Sequence, residues 1–218
     1  MSLVETLKIS GYLKTPLIIE AFKAIRRVDF LPADLVVSSM PELSLKELAE
    51  LDTALPIGYG QTISQPSVVA FMLELLQPEP GQKILDIGSG SGWTTALLSH
   101  IVGQKSGGKV VAVERIEKLR NFGESNFLKY NFKRKDIAEF IFGDASLGLA
   151  DYSPYDRILA SASTDEIPNA WIEQLKPNGR LVASRGFSIL QIIKDCKGGI
   201  KSIEYPGFVF VPLLKDTG

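Results

Sequence analysis

The stretch Lys83–Trp93, KILDIGSGSGW, limits the choice of fold more than any other part of the chain. Lys83-Ile84-Leu85 reads as a short strand that ends on an acid, Asp86. A loop with glycine at every second position follows, Gly88, Gly90 and Gly92, and Trp93-Thr94-Thr95-Ala96-Leu97-Leu98 then reads as a helix start. Without Cβ a glycine reaches positive φ, so the backbone can turn tightly and approach a ligand. The first-turn N–H groups of the helix lack intrahelical partners and point back into the loop. A nucleotide-like cofactor is the natural occupant.

Spacing narrows the choice of nucleotide. The dinucleotide fingerprint is G-x-G-x-x-G, with a pyrophosphate on the helix N-terminus. Here the third glycine comes one residue early, and Asp86 stands two residues before the first. A carboxylate there repels a pyrophosphate and suits a cation. The pattern resembles motif I of the S-adenosylmethionine-dependent methyltransferases, whose ligand carries a sulfonium and an ammonium. An ordinary glycine-rich turn between a strand and a helix fits the same residues.

The rest of the chain supplies the context. After the loop, apolar strands alternate with helices: Lys109–Glu114, a helix from Ile116 to about Phe132, then Ala138–Phe142, Asp156–Ala162, a helix over Ile167–Leu175 and a strand over Arg180–Ser184. That rhythm predicts a parallel sheet covered on both faces. The tail differs, with Ile189–Lys194, a Gly198-Gly199 turn, Ile200–Glu204 and Phe208–Leu213 predicting an antiparallel edge. Residues 1–55 read as a helical extension. Thr15 and Pro16 suit an N-cap and first helical position, Arg26-Arg27 a helix end, and Ser44-x-x-Glu47 a capping box. Ala54–Pro66, ALPIGYGQTISQP, is expected to be irregular, with Ser64 able to cap the helix behind Pro66. The expected architecture is α/β, a Rossmann-like, mostly parallel seven-stranded sheet with an antiparallel C-terminal edge and an N-terminal helical cap. One domain, 1–218, is expected, with its core over 56–218.

Three acids fall at successive strand ends, on the rim where open α/β sheets bind ligands. Glu114 stands where an acid takes ribose hydroxyls, and Asp144, followed by Ala145, can accept from the exocyclic amine of a base. Asp86 with Gly88, Ser89, Gly90 and Gly92 would then take the methionine end. Any one of these acids alone reads better as a solvated loop carboxylate; together, at successive strand ends, they favour an adenosine site.

IGYGQTISQP (Ile57–Pro66) carries a more specific likeness. It resembles the signature of protein-L-isoaspartate O-methyltransferases. The chain then runs through DIGSGSG, VERI (Val113–Ile116), GDA (Gly143–Ala145), EIP (Glu166–Pro168), QLKPNGRLV (Gln174–Val182) and FVPL (Phe210–Leu213) in the family's order. Val28-Asp29-Phe30-Leu31-Pro32 is also similar, so the likeness covers about residues 10 to 214. It implies a protein-L-isoaspartate(D-aspartate) O-methyltransferase acting in protein repair. S-adenosylmethionine would be the methyl donor, S-adenosylhomocysteine the product, and isoaspartyl proteins and peptides the partners. Methylation of the isoaspartyl α-carboxylate gives an ester that collapses to a succinimide. By the same resemblance the TISQP segment closes over substrate and cofactor. That places Thr62, Ile63 and Ser64 at the substrate, with Ser64 catalytic.

Elementary chemistry agrees with this. An α-carboxylate ionises near pH 3.5, so at pH 7 it is already a nucleophile and needs no general base. Orientation along the S–CH3 bond then dominates. His100, the one histidine, sits about 12 Å along the helix from the glycine loop. Cys196 has no histidine beside it and is not read as a nucleophile. No metal is expected. The chain departs from the family pattern at Tyr59, at Ser67 (a small residue in place of a bulky groove wall), at Ser184-Arg185-Gly186 and in a longer Ala33–Leu51. Arg185 can bind a carboxylate bidentately or face solvent.

Composition removes other classes. Lys plus Arg number 24 against 25 Asp plus Glu, so neither nucleic acid nor a membrane surface is an expected partner. The single cysteine fits a reducing compartment, and neither a signal sequence nor a spanning apolar run is read. A cytoplasmic monomer is expected. The rival readings are a methyltransferase of this fold acting on a small carboxylate or RNA, and a silent S-adenosylmethionine-binding module. A nicotinamide dehydrogenase is disfavoured by the glycine spacing.

Overall fold

A computed structural model describes residues 1–132 and 136–213. The N-terminal region holds helices α1 (Leu3–Ile9), α2 (Pro16–Ala24) and α3 (Leu45–Glu50), with a 3₁₀ turn at Arg27–Phe30. Strands β1 (Leu55–Gly58) and β2 (Gln61–Ile63) precede helix α4 (Pro66–Leu76). The alternating core follows as β3 (Lys83–Ile87), α5 (Trp93–Val102), β4 (Lys109–Glu114), α6 (Glu117–Phe127), β5 (Ala138–Phe142) and β6 (Tyr155–Thr164). It closes with α7 (Asn169–Glu173), β7 (Leu175–Arg185), β8 (Ser188–Lys194) and β9 (Ile200–Pro206).

The main sheet has seven strands in the order β5-β4-β3-β6-β7-β8-β9. The first five are parallel, and β8 and β9 run antiparallel at the edge, as expected. Strand order reverses beside β3, so ligands belong above its C-terminal end. Alternation sends Ile84, Val110, Ala112, Leu159 and Val182 to one face, where they join a cluster with residues of α1 to α5. Leu85, Ile87, Val111, Val113, Ile158 and Leu181 take the other face, with Trp171. Burial on both faces explains why these strands read as continuous apolar runs. On this alternation Asp86 points toward α5, where Thr95 meets it.

Several local expectations need correction. Ala54–Pro66 is not simply irregular, because β1 and β2 pair as a hairpin whose tip, Gly58-Tyr59-Gly60, lies wholly in the left-handed region. Helix α6 stops at Phe127 rather than near Phe132. The chain leaves it so that Phe132 stacks on Phe127 and the Tyr130 hydroxyl donates to Asp29 Oδ2. Phe208–Leu213 forms no strand; one bridge, Ser163 to Pro212, ties it to β6. Thr15 holds the N-cap position of α2, but its hydroxyl donates to Glu74 on α4. Arg26-Arg27 lies beyond the helix end, and the Arg27 side chain turns inward. The capping box Ser44–Glu47 forms as read.

Ser64 does not cap α4. Gln65 is the N-cap residue and makes no side-chain cap bond. The Ser67 N–H donates instead to Asp52 Oδ1 at 2.8 Å, and Gln65 Nε2 donates to Asp52 Oδ2 at 3.3 Å. A carboxylate from outside the helix thus supplies both the acceptor and the charge favoured at this end. Asp52→Ala is expected to lower stability by about 1 kcal/mol, read from urea unfolding.

Candidate functional site

A cavity of about 500 Å³ opens above the C-terminal ends of β3, β4 and β6. That lies within the range of roughly 300–1,000 Å³ typical of small-molecule and cofactor pockets. Gly88 and Gly90 of the glycine loop line the cavity with Glu114, Gly143 and Ala145, whereas Asp86, Ser89, Gly92 and Asp144 lie outside its lining. The Gly88 and Ser89 N–H groups both donate to the Val113 carbonyl, at 2.9 and 3.1 Å, which binds the loop to the neighbouring strand end. All three glycines have positive φ. Gly92 also meets Gly123 of α6 so closely that a Cβ on it would lie 2.6 Å from the Gly123 carbonyl oxygen. A Cβ on Gly123 would in turn lie 2.7 Å from the Gly90 oxygen. Loop and helix therefore touch backbone to backbone, and Asn126 adds a bond to the Ser91 carbonyl.

Glu114 bolts this arrangement from the side. Its Oε2 accepts from the Gly90 N–H and its Oε1 from the Ile116 N–H, each at 2.9 Å. Both oxygens keep a lone pair for a further donor, and Glu114 lines the cavity. Asp86 lies beneath the loop, fully buried. Its Oδ2 accepts from the Thr95 hydroxyl at 2.6 Å, while Oδ1 has no hydrogen-bond partner among the described residues. Burial, together with repulsion from Glu114, pushes its pKa up to about 7 against the pull of Thr95. The buried Ser89 hydroxyl also lacks a partner among the described residues. A buried acid with an uncommitted oxygen, a free hydroxyl and a loop of small residues suit a cationic, amine-bearing group, and would fit a sulfonium cofactor.

Asp144 sits at the third strand end, where its Oδ1 accepts from the Ser146 N–H. Arg115 approaches its Oδ2 at 3.6 Å. Gly143 and Ala145 face the cavity beside it, and the Ala145 carbonyl is fixed by the Trp171 indole N–H.

The side read from the sequence as facing substrate comes from β2 and the residues just after it. Thr62 and Ser64 line the cavity with Gln61 and Gln65. Ile63 turns away and is buried in the core. One hydrogen bond, from Arg27 Nη2 at 3.2 Å, holds the Ser64 carbonyl from behind, whereas its hydroxyl makes none to the described residues. Two expectations on this side change. Ser67 is buried and takes no part in the cavity lining, so it is not a groove wall. Arg185 lies outside the cavity lining and pairs with Glu204 at 2.8 Å on the exposed edge. Tyr59 stands exposed at the hairpin tip, with Lys118 over its ring.

Sequence reasoning missed one whole wall. Residues Gly207–Leu213 run across the cavity. The Ser163 N–H donates to the Val211 carbonyl and the Leu213 N–H to the Ser163 carbonyl. At the other end, the Gly207 and Phe208 N–H groups donate to the Phe187 carbonyl. The signal was present in FVPL, but a strand-like apolar run gives no hint that it crosses a ligand site. Ser161 and Ala162, at the end of β6, were missed as lining residues as well.

The profile of the family described as Protein-L-isoaspartate(D-aspartate) O-methyltransferase matches residues 1–218. The chain belongs to this family. Curated protein-L-isoaspartate O-methyltransferases agree with it over nearly their whole length. That of Methanopyrus kandleri is 38% identical over 220 residues, covering 99% of this chain and 91% of its own. That of Archaeoglobus fulgidus, numbered 2, is 40% identical over 202 residues, covering 91% and 87%. A solved structure described as a protein-L-isoaspartate O-methyltransferase aligns with a TM-score of 0.80 at 25% identity, covering 99% of this chain and 66% of that one. A Plasmodium falciparum protein described in the same terms, in complex with S-adenosyl-L-homocysteine, has the same fold. Its TM-score is 0.80 at 24% identity, over 98% and 97% of the two chains. The resemblance read from IGYGQTISQP is thus a family relationship.

Proposed function

We propose that this isoaspartyl methyltransferase moves a methyl group from S-adenosylmethionine to the α-carboxylate of L-isoaspartyl residues in damaged proteins. The observation that carries this reading is that one cavity is lined by both the glycine loop and the Thr62–Ser64 segment. When bound, the cofactor supplies an electrophilic methyl group on a sulfonium.

The chain does the rest by placement. Asp86 and the loop from Gly88 to Gly92 hold the methionine end, Glu114 the ribose, and Asp144 with Ala145 the base. The Ser64 hydroxyl donates to the substrate carboxylate and aims one oxygen along the methyl–sulfur axis. The nucleophile is already ionised, so no side chain removes a proton, and the rate gain comes from orientation and exclusion of water. The ester formed is then attacked by the following backbone nitrogen, and methanol leaves as the succinimide closes.

We also hold that residues 1–55 form a helical cap on a single unit spanning 1–218, supported by the cluster that joins Leu3, Ile18 and Leu48 to Ile84 and Val182. Among the described residues no helix is long and apolar enough to cross a membrane. A cytoplasmic monomer remains part of the proposal, and the near-balanced charge supports the absence of a general attraction to nucleic acid or an anionic membrane.

The test is methyl transfer to an isoaspartyl peptide beside its normal aspartyl twin. Turnover of the first alone is expected; equal or absent turnover of the pair overturns the reading. Ser64→Ala is expected to lower kcat/KM roughly 10- to 100-fold, the effect of losing one hydrogen bond to a charged group. Cofactor affinity, measured by calorimetry, should stay unchanged.

A further inference from the structure

The geometry points to Arg27 as a positioning residue that sets the Thr62–Ser64 segment from behind, without touching substrate or cofactor. This rests on the isoaspartyl-methyltransferase reading above. Arg27 lies in the 3₁₀ turn after α2, buried, and outside the lining of the catalytic cavity. Its Nη2 donates to the Thr53 carbonyl at 2.7 Å and to the Ser64 carbonyl at 3.2 Å. Its Nη1 donates to the carbonyls of Leu51 at 3.0 Å and Ala49 at 3.4 Å. One guanidinium therefore gathers the end of α3, the approach to β1 and the carbonyl of Ser64 itself.

The anchor is itself fixed. The guanidinium carbon lies 5.6 Å from the centroid of the Trp93 ring, and Trp93 is the first residue of α5, next to Gly92. Phe22 meets the same ring edge-on. Asp52 attracts Arg27 electrostatically and accepts from Ser67 and Gln65, just past Ser64. The segment is thus held on both sides of the hydroxyl that faces the cavity. The planar fork of arginine supplies this set of donors in fixed directions, and a lysine ammonium cannot span it. The glycine loop itself is held by Val113, Glu114, Gly123 and Asn126, and none of those contacts involves Arg27.

The experiment compares wild type with Arg27→Lys, both saturated with S-adenosylmethionine. Arg27→Lys is expected to lower kcat/KM for the isoaspartyl peptide at least tenfold, while cofactor affinity stays within threefold. Amide hydrogen exchange, which needs no turnover, should quicken at Gln61–Gln65 and not at Ile84–Ile87. A kcat/KM within threefold of wild type overturns the inference, as does a parallel fall in cofactor affinity and kcat/KM, the mark of general unfolding. A second cavity, of about 460 Å³, is lined by Arg27 and Trp93 and gives small ions a path to this point. Millimolar guanidinium should therefore restore at least part of the activity of Arg27→Ala, and failure to do so counts against the inference. Absence of turnover by wild type sinks the functional reading; faster exchange at Gln61–Gln65 alone still upholds the positioning role.

Discussion

A Gly92→Ala variant is expected to lose roughly 2–5 kcal/mol of stability and most of its affinity for S-adenosylmethionine. Two costs add. A side chain at the observed φ of +83° costs about 1–2 kcal/mol. The new methyl would also sit 2.6 Å from a backbone oxygen that belongs to a helix and cannot rotate away, an overpacking cost of about 1–3 kcal/mol. Gly123→Ala is the informative control. In the interior of α6 that change would ordinarily stabilise by about 0.5–1 kcal/mol, because alanine has the better helix propensity. Here its Cβ would press on the Gly90 oxygen at 2.7 Å, so the sign should reverse. Urea unfolding of both variants, with calorimetric titration of the cofactor, checks the pair. A stabilised Gly123→Ala would mean the loop and helix stand further apart than described.

Asp86→Asn should make the cofactor-free protein more stable above pH 7 and bind S-adenosylmethionine more weakly. In the folded chain Asp86 titrates near pH 7, against 3.8 for an ordinary aspartate, mainly through burial. Between those values the folded state keeps a proton that the unfolded state has released. The stability contributed by Asp86 is thus complete below pH 3.8, falls as pH rises, and is gone above about 7. The interval corresponds to on the order of 4 kcal/mol, an upper bound for what the amide can recover. Cofactor binding reverses the preference, since a cation favours the ionised carboxylate. Below pH 7 binding must expel the proton, so wild-type affinity should fall by up to about tenfold per pH unit. Asp86→Asn should show a flat profile and an affinity roughly 10- to 100-fold lower at pH 8, as expected for a lost charged partner. Proton release measured in buffers of different ionisation enthalpy reads the same event directly. A pH-independent wild-type affinity would remove Asp86 from the cationic end of the site.

The fold was legible because its signals are local. β4 coincides with the Lys109–Glu114 run, since a strand buried on both faces is apolar along its interior, and the edge strand β5 coincides with Ala138–Phe142 although it is only partly buried. The glycines were legible as a turn, but only in part as to cause. Positive φ can be read from a sequence, whereas the contact between Gly92 and Gly123 joins two elements and cannot. The same division holds in the site. Glu114 could be placed at a strand end, yet its hold on the Gly90 and Ile116 N–H groups depends on how the β4 end meets the loop. Ser64 could be chosen, but not freed from the capping role, because its competitor Asp52 lies twelve residues upstream. Arg27 read as a charge at a helix end; only tertiary packing shows four carbonyls converging on it.

The wall formed by Gly207–Leu213 has a consequence for biosynthesis. The glycine loop, Glu114 and Ser64 are all translated before it, and none of its residues belongs to a strand of either sheet. A chain released after β9 would carry every acid assigned to the cofactor, yet its cavity would lack the side that Ser163 and Phe187 pin in place. The cavity is therefore completed only by the last part of the chain to be made, after the residues assigned to the cofactor.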